Sequence, residues 1–526
     1  MSGKGEPAGP FGNPDGSRAD IEDLMSGFVD FHGSSLFGAL AKGAADASVR
    51  VLVGRLGAGK TVYLRRMQSF QSAQESVYAD TPQQSSPATE VIVRVCQWFP
   101  ERLLTVKWMQ IWHRAILRSL ATHMLRNKDL RQYVDLSTAQ HIQREYGSLI
   151  GEARQPRSIY SQLKTIINEV NTANHLTRYL DDDRWDDLEY ELGELLKCTP
   201  PIFFYLDAVD EEFDHAPMYW LRCQKGLFYQ TMRLLRDHRL GGRLHLVICI
   251  REIVMSSVYR SEHAPRYHDE PHICILNWDY KSLAYLLREK IRKLPNSCRI
   301  INAGDEGSVE NWLGSATIYN ERRDIEEGLE DYLLRHTRLI PRDVVSLGNT
   351  LCQQIQHHRA ASAGPLPPAT IRSAVSRTAR RFGDSQLAQC ANQIAADLMP
   401  RHAAVKGYSD TYIGSQEYTR GIKEDLLTLI AVTLETDVFA ASQMKALQTE
   451  ADSLFGAPIH LPAVLWQNGL LGYDCEDGEC FYSLTEMDQF DVPLDRDMYV
   501  LHPCLLDTVP GLRSDRRRPV RPYRRS

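Results

Sequence analysis

Eight consecutive residues carry the plainest chemistry in this chain: Gly54, Arg55, Leu56, Gly57, Ala58, Gly59, Lys60 and Thr61 satisfy the spacing G-x-x-x-x-G-K-[ST]. Between a strand and a helix, that spacing builds a phosphate-binding loop. Gly57 and Gly59 let backbone N–H groups turn inward around phosphate oxygens, where a Cβ would obstruct them. The helix that follows presents its positive end to the anion. Lys60 supplies a point charge to the β and γ phosphates, and Thr61 offers a hydroxyl to Mg²⁺. Gly54, Ala58 and Val62 complete the expected nucleotide-binding set.

A second cluster is acidic. The run FFYLDAVDEE puts Asp207 at the carboxyl end of an apolar strand, and in a parallel sheet that edge is where ligands bind. A carboxylate there holds Mg²⁺, directly or through water. Asp210 is expected as a second metal-side acid and Glu211 as the group that orients the attacking water. The alternative for both is capping a helix that begins near Ala216.

The elements that must position these groups alternate between strand and helix. Strands are expected at 49–54 (VRVLVG), 90–98 (EVIVRVCQW), 201–212, 243–252 (RLHLVICIRE) and 272–278 (HICILNW). A helix is expected from 59 to about 71, a polar surface loop (SAQESVYADTPQQSSP) after it, and a helical insertion over about 102–200. The fold class is therefore α/β, a mainly parallel sheet covered by helices on both faces. From about 280 to 420 a helical lid domain follows, with helices near 323–337, 342–360 and 369–398 and a Pro/Gly hinge at 361–368. Over 421–508, three helices (423–435, 440–455, 459–468) precede a hairpin around EDGE, a winged-helix arrangement. Residues 1–34 read as a flexible arm and 509–526 as a disordered Arg-rich tail.

The chain has 526 residues, 43% apolar and 24% charged, the composition of a folded globular protein. Its net charge of −6 hides an asymmetry: the last sixteen residues hold seven Arg and one Asp, so they carry +6 and the remainder −12. No run reaches the ~18–20 apolar residues that span a bilayer, and the amino terminus has no leader-like hydrophobic stretch. Eleven scattered cysteines, among them Cys96, Cys249 and Cys274 in apolar runs, read as reduced core thiols of a cytoplasmic protein. Cys475 and Cys480 flank a turn without a second pair at zinc spacing.

Together the phosphate loop and the acidic strand resemble the STAND class of P-loop NTPases, in particular its NACHT and AP-ATPase groups. The Walker B signature of that class is four apolar residues, Asp, a small residue, an apolar residue, Asp and Glu, and Phe203 to Glu211 match it. The class also ends its next strand in an Arg that senses the γ-phosphate, and here LVICIRE places Arg251 at that point; a surface ion pair is the alternative. A Gly-x-Pro that lies near the adenine corresponds to Pro341, with Leu339 where Gly is expected. Arg342 resembles the lid arginine of AAA+ relatives or serves the first turn of a helix. A Met-His-Asp near the end of the winged helix corresponds to His502, with Pro503 in place of Asp; a structural histidine is the alternative. The resemblance covers about residues 35–508. It implies an ATP-binding switch with ADP and Mg²⁺ as companions, homo-oligomers in the ATP state and a separate effector protein, as in bacterial signalling or phage defence.

The runner-up resemblance is to Orc/Cdc6-type AAA+ ATPases that act on nucleic acid. A recognition helix would carry Arg, Lys, Asn or Gln toward base edges, yet IHLPAVLWQNG has no Lys or Arg, and the proposed wing holds Asp474, Glu476, Asp477 and Glu479. Trp466, Leu465 and Leu470 are expected as core or domain contacts. Nucleic acid, if bound, is expected at the tail 511–526 through salt-sensitive phosphate contacts. A solvated end, or a tail bound to the acidic face 181–194, is the alternative.

Overall fold

The computed structural model describes residues 9–16, 18–20, 22, 28–29, 49–83, 89–151, 155–207, 217–240, 242–259, 261, 264–267, 269–301, 307–361, 364–406, 416–456, 459–475, 478–481, 492–493 and 495–515. By internal contact the chain divides into two units. An α/β unit comprises Ser35–Gly54 and Lys60–Ile275, and a second, largely helical unit comprises Met1–Ser34, Arg55–Gly59 and Leu276–Ser526. The lid and winged-helix segments expected as separate domains thus group together.

In the α/β unit, β1 (Val51–Gly54), β2 (Tyr78–Ala79), β3 (Ile202–Leu206), β4 (Leu244–Arg251) and β5 (Ile273–Ile275) form one sheet in the order β2-β3-β4-β1-β5. Every pairing is parallel. The three inner strands are apolar along nearly their whole length and buried on both faces, as a helix-covered parallel sheet requires. Helices Lys60–Ser72, Thr89–Trp98, Glu101–Arg126 and Pro217–Leu235 belong to this unit. The helical insertion is present as Leu136–Ile150, Ile159–Glu169, Ala173–Leu180 and Arg184–Leu196. Local signals set several of its ends: the Ser158 side chain accepts from Ser161 N–H and the Thr172 side chain from His175 N–H, each satisfying an orphan donor of a first turn.

One strand was misassigned from the sequence. Residues 90–98 are helical, within Thr89–Trp98, and the missing strand is β2, inside the segment read as a surface loop. The β-branched composition suggested a strand, but Val91, Ile92, Val95 and Cys96 are the buried residues, a spacing that repeats after four residues and so lines one helix face. As a two-residue edge strand, β2 has too little pattern to announce itself.

The helical unit opens with Tyr280–Arg292, capped by the Asp279 side chain on Ser282 N–H (2.7 Å). A hairpin of β6 (Thr317–Asn320) and β7 (Ile325–Gly328) follows, then helix Leu329–Arg335; the sequence reading had one helix over 323–337. The hairpin turn holds Asp324 at φ 57°, a left-handed conformation that Asp tolerates better than most residues. Helices Pro341–Ala361 and Pro368–Lys406 flank the expected hinge. Beyond helix Gln416–Thr433 come β8 (Val438–Ala440), helices Ala441–Phe455 and Leu461–Gln467, then β9 (Leu471–Cys475), β10 (Gly478–Phe481) and β11 (Met498–Leu501). These four strands make an antiparallel sheet in the order β10-β9-β11-β8. The β9–β10 hairpin is the one expected around EDGE.

Both chain ends depart from expectation. Phe11, in the segment read as a loose arm, is 1% exposed. The tail expected to be disordered from 509 stays in the fold through Asp515. Arg513 N–H donates to Glu435 O (3.0 Å), Asp437 N–H to Arg513 O (2.9 Å) and Asp515 N–H to the Asp437 carboxylate (2.7 Å). Residues 516–526 lie outside the described residues. Among the described residues, no helix is long and apolar enough to cross a membrane. None of the nine cysteines with described side chains is joined in a disulfide.

Candidate functional site

Within the α/β unit, one edge of the sheet gathers the strand ends expected to do chemistry. Gly54 ends β1, and Arg251, the last residue of β4, is its partner in register. Arg251 is 9% exposed. Asp207 follows β3 and is also buried. Because β4 lies between β3 and β1, two strand spacings of about 4.8 Å separate the acid's strand from the phosphate-loop strand. Asp207 is held by its backbone: its N–H donates to Gln83 O (3.2 Å), and Tyr160 Oη donates to its carbonyl (2.9 Å). Gln83 is fixed in turn, its side-chain oxygen accepting from Ile159 N–H (2.9 Å). Neither Gln83 nor Tyr160 was singled out from the sequence, where nothing local links them to Asp207.

Lys60 is the first residue of its helix and is 5% exposed. Its Nζ donates to Gly54 O (2.9 Å), so the ammonium is drawn back over the end of β1. Thr61 and Val62 lie half-buried in the same first helical turn.

The loop residues Arg55–Gly59 group with the helical unit. Ala58 N–H donates to Arg55 O (3.1 Å), closing a turn, and Gly57, third in that turn, has φ 91°. A type II turn needs a positive φ at that place. Gly59 has φ 95°. The loop carbonyls are engaged: Trp278 Nε1 donates to Ala58 O (2.9 Å), and Arg342 N–H donates to Gly57 O (3.2 Å). A Cβ on Gly57 would sit 2.9 Å from Arg342 Cβ and 3.0 Å from Ile340 Cδ1, so the close approach itself excludes a side chain. Nothing local in the sequence links Trp278 to this loop.

The same helix start carries the weaker candidates. Pro341 opens helix Pro341–Ala361, and Arg342 lies in its first turn, as the fixed φ of proline suits. Leu339, which stands where the resembled motif has Gly, has φ 53°. The backbone therefore keeps the left-handed conformation a glycine would take, although the side chain differs. Arg338 braces this corner, donating through its backbone N–H (3.1 Å), Nε (2.8 Å) and Nη2 (2.8 Å) to Asp343, which is 0% exposed. Burial works against the Arg338 charge, but Asp343 overrides it and pushes the guanidinium pKa up.

His502 has both ring nitrogens engaged. Nε2 donates to Thr337 O (3.1 Å), and Nδ1 accepts from Cys504 N–H (3.2 Å). That pairing fits the neutral imidazole, and burial pushes its pKa down to about 4. In this conformation His502 ties the end of β11 to the loop before Pro341. Asp210 and Glu211 lie outside the described residues, as do Glu476 and Asp477.

The helix weighed as a nucleic-acid reader, Leu461–Gln467, is packed inward. Leu465, Trp466 and Leu470 are each 0% exposed. Its polar end is bonded to the long helix Pro368–Lys406: Gln393 Nε2 donates to the Gln467 side chain (3.0 Å) and Gln386 Nε2 to Asn468 (2.9 Å).

Within the α/β unit, Lys60, Thr61 and Asp207 are the side chains that could hold a Mg-nucleotide. Two loop glycines occupy left-handed backbone, a buried Lys opens the helix, and Thr61 and Asp207 offer hard oxygens. Among the described residues no three His, Cys, Asp or Glu side chains gather as a metal cage. Mg²⁺ at phosphates needs none, since it keeps waters and takes one or two protein oxygens. Comparison with family models returns no match, and comparison with curated proteins finds no relative.

Proposed function

We propose that this chain binds ATP and hydrolyses it slowly, as a nucleotide-dependent switch of the STAND type. The observation that carries this reading is the phosphate loop: Gly57 and Gly59 in left-handed backbone between β1 and a helix that opens with the buried Lys60. The register that sets Arg251 beside Gly54 supports the second half, because it puts a cation at the strand end next to the loop.

On this reading Lys60 leaves the Gly54 carbonyl for the β and γ phosphates, and Arg251 binds the third phosphate through charge-assisted hydrogen bonds. Thr61 and Asp207 would hold Mg²⁺, which when bound neutralises charge on the phosphate oxygens. Glu211 would orient the attacking water and Asp210 would assist at the metal. ADP and ATP favour different conformations because only ATP offers a γ-phosphate to Arg251, and a ligand shifts an equilibrium only by its differential affinity for the two states. The ATP state forms homo-oligomers and engages a separate effector. The inward packing of Leu461–Gln467 supports an internal role for that helix, which leaves the basic residues beyond 515 as the place for any nucleic-acid contact.

The test is molecular mass in solution with ADP and with a nonhydrolysable ATP analogue, each with and without DNA. The switch predicts a mass increase with the ATP analogue alone. An increase that needs DNA would favour the Orc/Cdc6-like alternative, and the same mass in all four conditions would defeat the switch.

A further inference from the structure

The amino-terminal residues are built into the helical unit, and their receptor lies on the helix that begins beside the phosphate loop. Gly12 N–H donates to Gly9 O (2.8 Å), closing a turn around Phe11. The Phe11 ring lies 5.0 Å from that of Trp312 and fills the space over Gly348, where a Cβ would fall 2.3–2.5 Å from the ring. The next residue, Asn349, grips the backbone of the turn at two points: its Oδ1 accepts from Phe11 N–H (2.8 Å) and its Nδ2 donates to Gly12 O (2.9 Å). A buried aromatic anchor with a two-point backbone clamp is the construction of a specific docking site.

Beyond the turn, Pro14 O accepts from Arg342 Nε (3.3 Å). Arg342 and Asn349 lie on the same helix, Pro341–Ala361, seven residues and so about two turns apart. The Arg342 backbone N–H is meanwhile on Gly57 O of the phosphate loop. One residue thus meets the arm through its side chain and the loop through its backbone. With Nε engaged by Pro14, the edge formed by Nη1 and Nη2 is the one that remains for a pair of phosphate oxygens.

We propose that Gly9–Pro14 is a strap that positions Arg342 toward a bound nucleoside phosphate, with Phe11 and Asn349 as its anchoring residues. The proposal rests on the nucleotide reading above and adds that the arm, far from the loop in sequence, sets the affinity of the site. Phe11 and Asn349 are positioning residues that act through Arg342.

The experiment measures dissociation constants of the full chain for ADP and a nonhydrolysable ATP analogue. Arg342→Ala, Phe11→Ala and Asn349→Ala are each expected to weaken binding about 10-fold, the scale of a lost hydrogen bond to a charged group. The double variant F11A/R342A should bind no more weakly than R342A alone, since sites that act in series are not additive. Phe11→Leu should recover most of the affinity. Asn349→Ala keeps the aromatic anchor and reads the strap even where Phe11→Ala does not fold. Additive losses in the double variant, or wild-type affinity in both F11A and N349A, would overturn the strap. Wild-type affinity in Lys60→Ala would instead reject the nucleotide reading beneath it, so the two failures are distinguishable.

Discussion

Replacing Gly57 by alanine probes the geometry on which the site depends, and the structure supplies its magnitude. The residue has φ 91°, and placing an L-side chain in left-handed backbone costs about 1–2 kcal/mol. The new Cβ would also meet Arg342 Cβ at 2.9 Å and Ile340 Cδ1 at 3.0 Å; relieving that overlap costs about 1–3 kcal/mol. The sum is about 3 kcal/mol, or a fall of roughly 5 °C in the thermal midpoint of a unit this size. Gly511→Ala is the control. It has φ 81° and nothing within 4 Å of its added Cβ, so it carries the backbone cost of about 1–2 kcal/mol alone. Calorimetry on both variants separates the two contributions, and titration with ATP should show a further loss for Gly57→Ala only, because the loop must shift to admit the methyl group. A Gly57→Ala variant as stable as Gly511→Ala, with wild-type nucleotide affinity, would refute both the close approach and the role of the loop.

Two further perturbations test other parts of the molecule. Arg251→Ala should weaken ATP binding about 10-fold, leave ADP binding within about 3-fold of wild type, and slow single-turnover hydrolysis at least about 100-fold, the scale of an arginine that stabilises charge on a transferring phosphate; unchanged ATP affinity and turnover would assign Arg251 to structure alone. Truncation after Asp515 is the reference for a shorter chain. Truncation after Pro510 should cost about 2–4 kcal/mol, because it removes buried Leu512 and strips Asp437, whose side chain is 0% exposed, of its bonds to Ser514 and Asp515 while Arg323 remains. Equal midpoints for the two truncations would show that Gly511–Asp515 contributes nothing to the fold.

The parts of this fold that could be read in advance are those with local causes. The loop from Gly54 to Gly59 is contiguous, and Gly57 and Gly59 stand where the backbone takes left-handed φ. The ends of β3 and β4 are legible because long apolar runs stop at a charged residue, Asp207 or Arg251. The illegible parts depend on partners distant in sequence. β2 exists because Tyr78 and Ala79 pair with Ile202 and Phe203, and the polar residues around them carry no strand pattern. Phe11 sits in a Gly- and Pro-rich stretch whose composition suits a loose arm, yet its receptor, Trp312 with Gly348, lies some 300 residues away. Arg513–Asp515 likewise looked like the start of a charged tail until the backbone of Glu435–Asp437 was seen to take it in. Segment 90–98 differs in kind: its β-branched composition points to a strand while the four-residue repeat of its apolar positions points to a helix, and the spacing wins.

The central claim is that this chain holds a nucleotide by its phosphates at Lys60. Its most direct test is equilibrium binding of ATP with Mg²⁺ to the wild-type chain and to Lys60→Ala, with circular dichroism to establish that both are folded. The account predicts saturable binding by the wild type and a loss of at least about 100-fold in the variant, since one charged group making two or more hydrogen bonds to phosphate oxygens is removed. ATP bound equally well by the two proteins would contradict it.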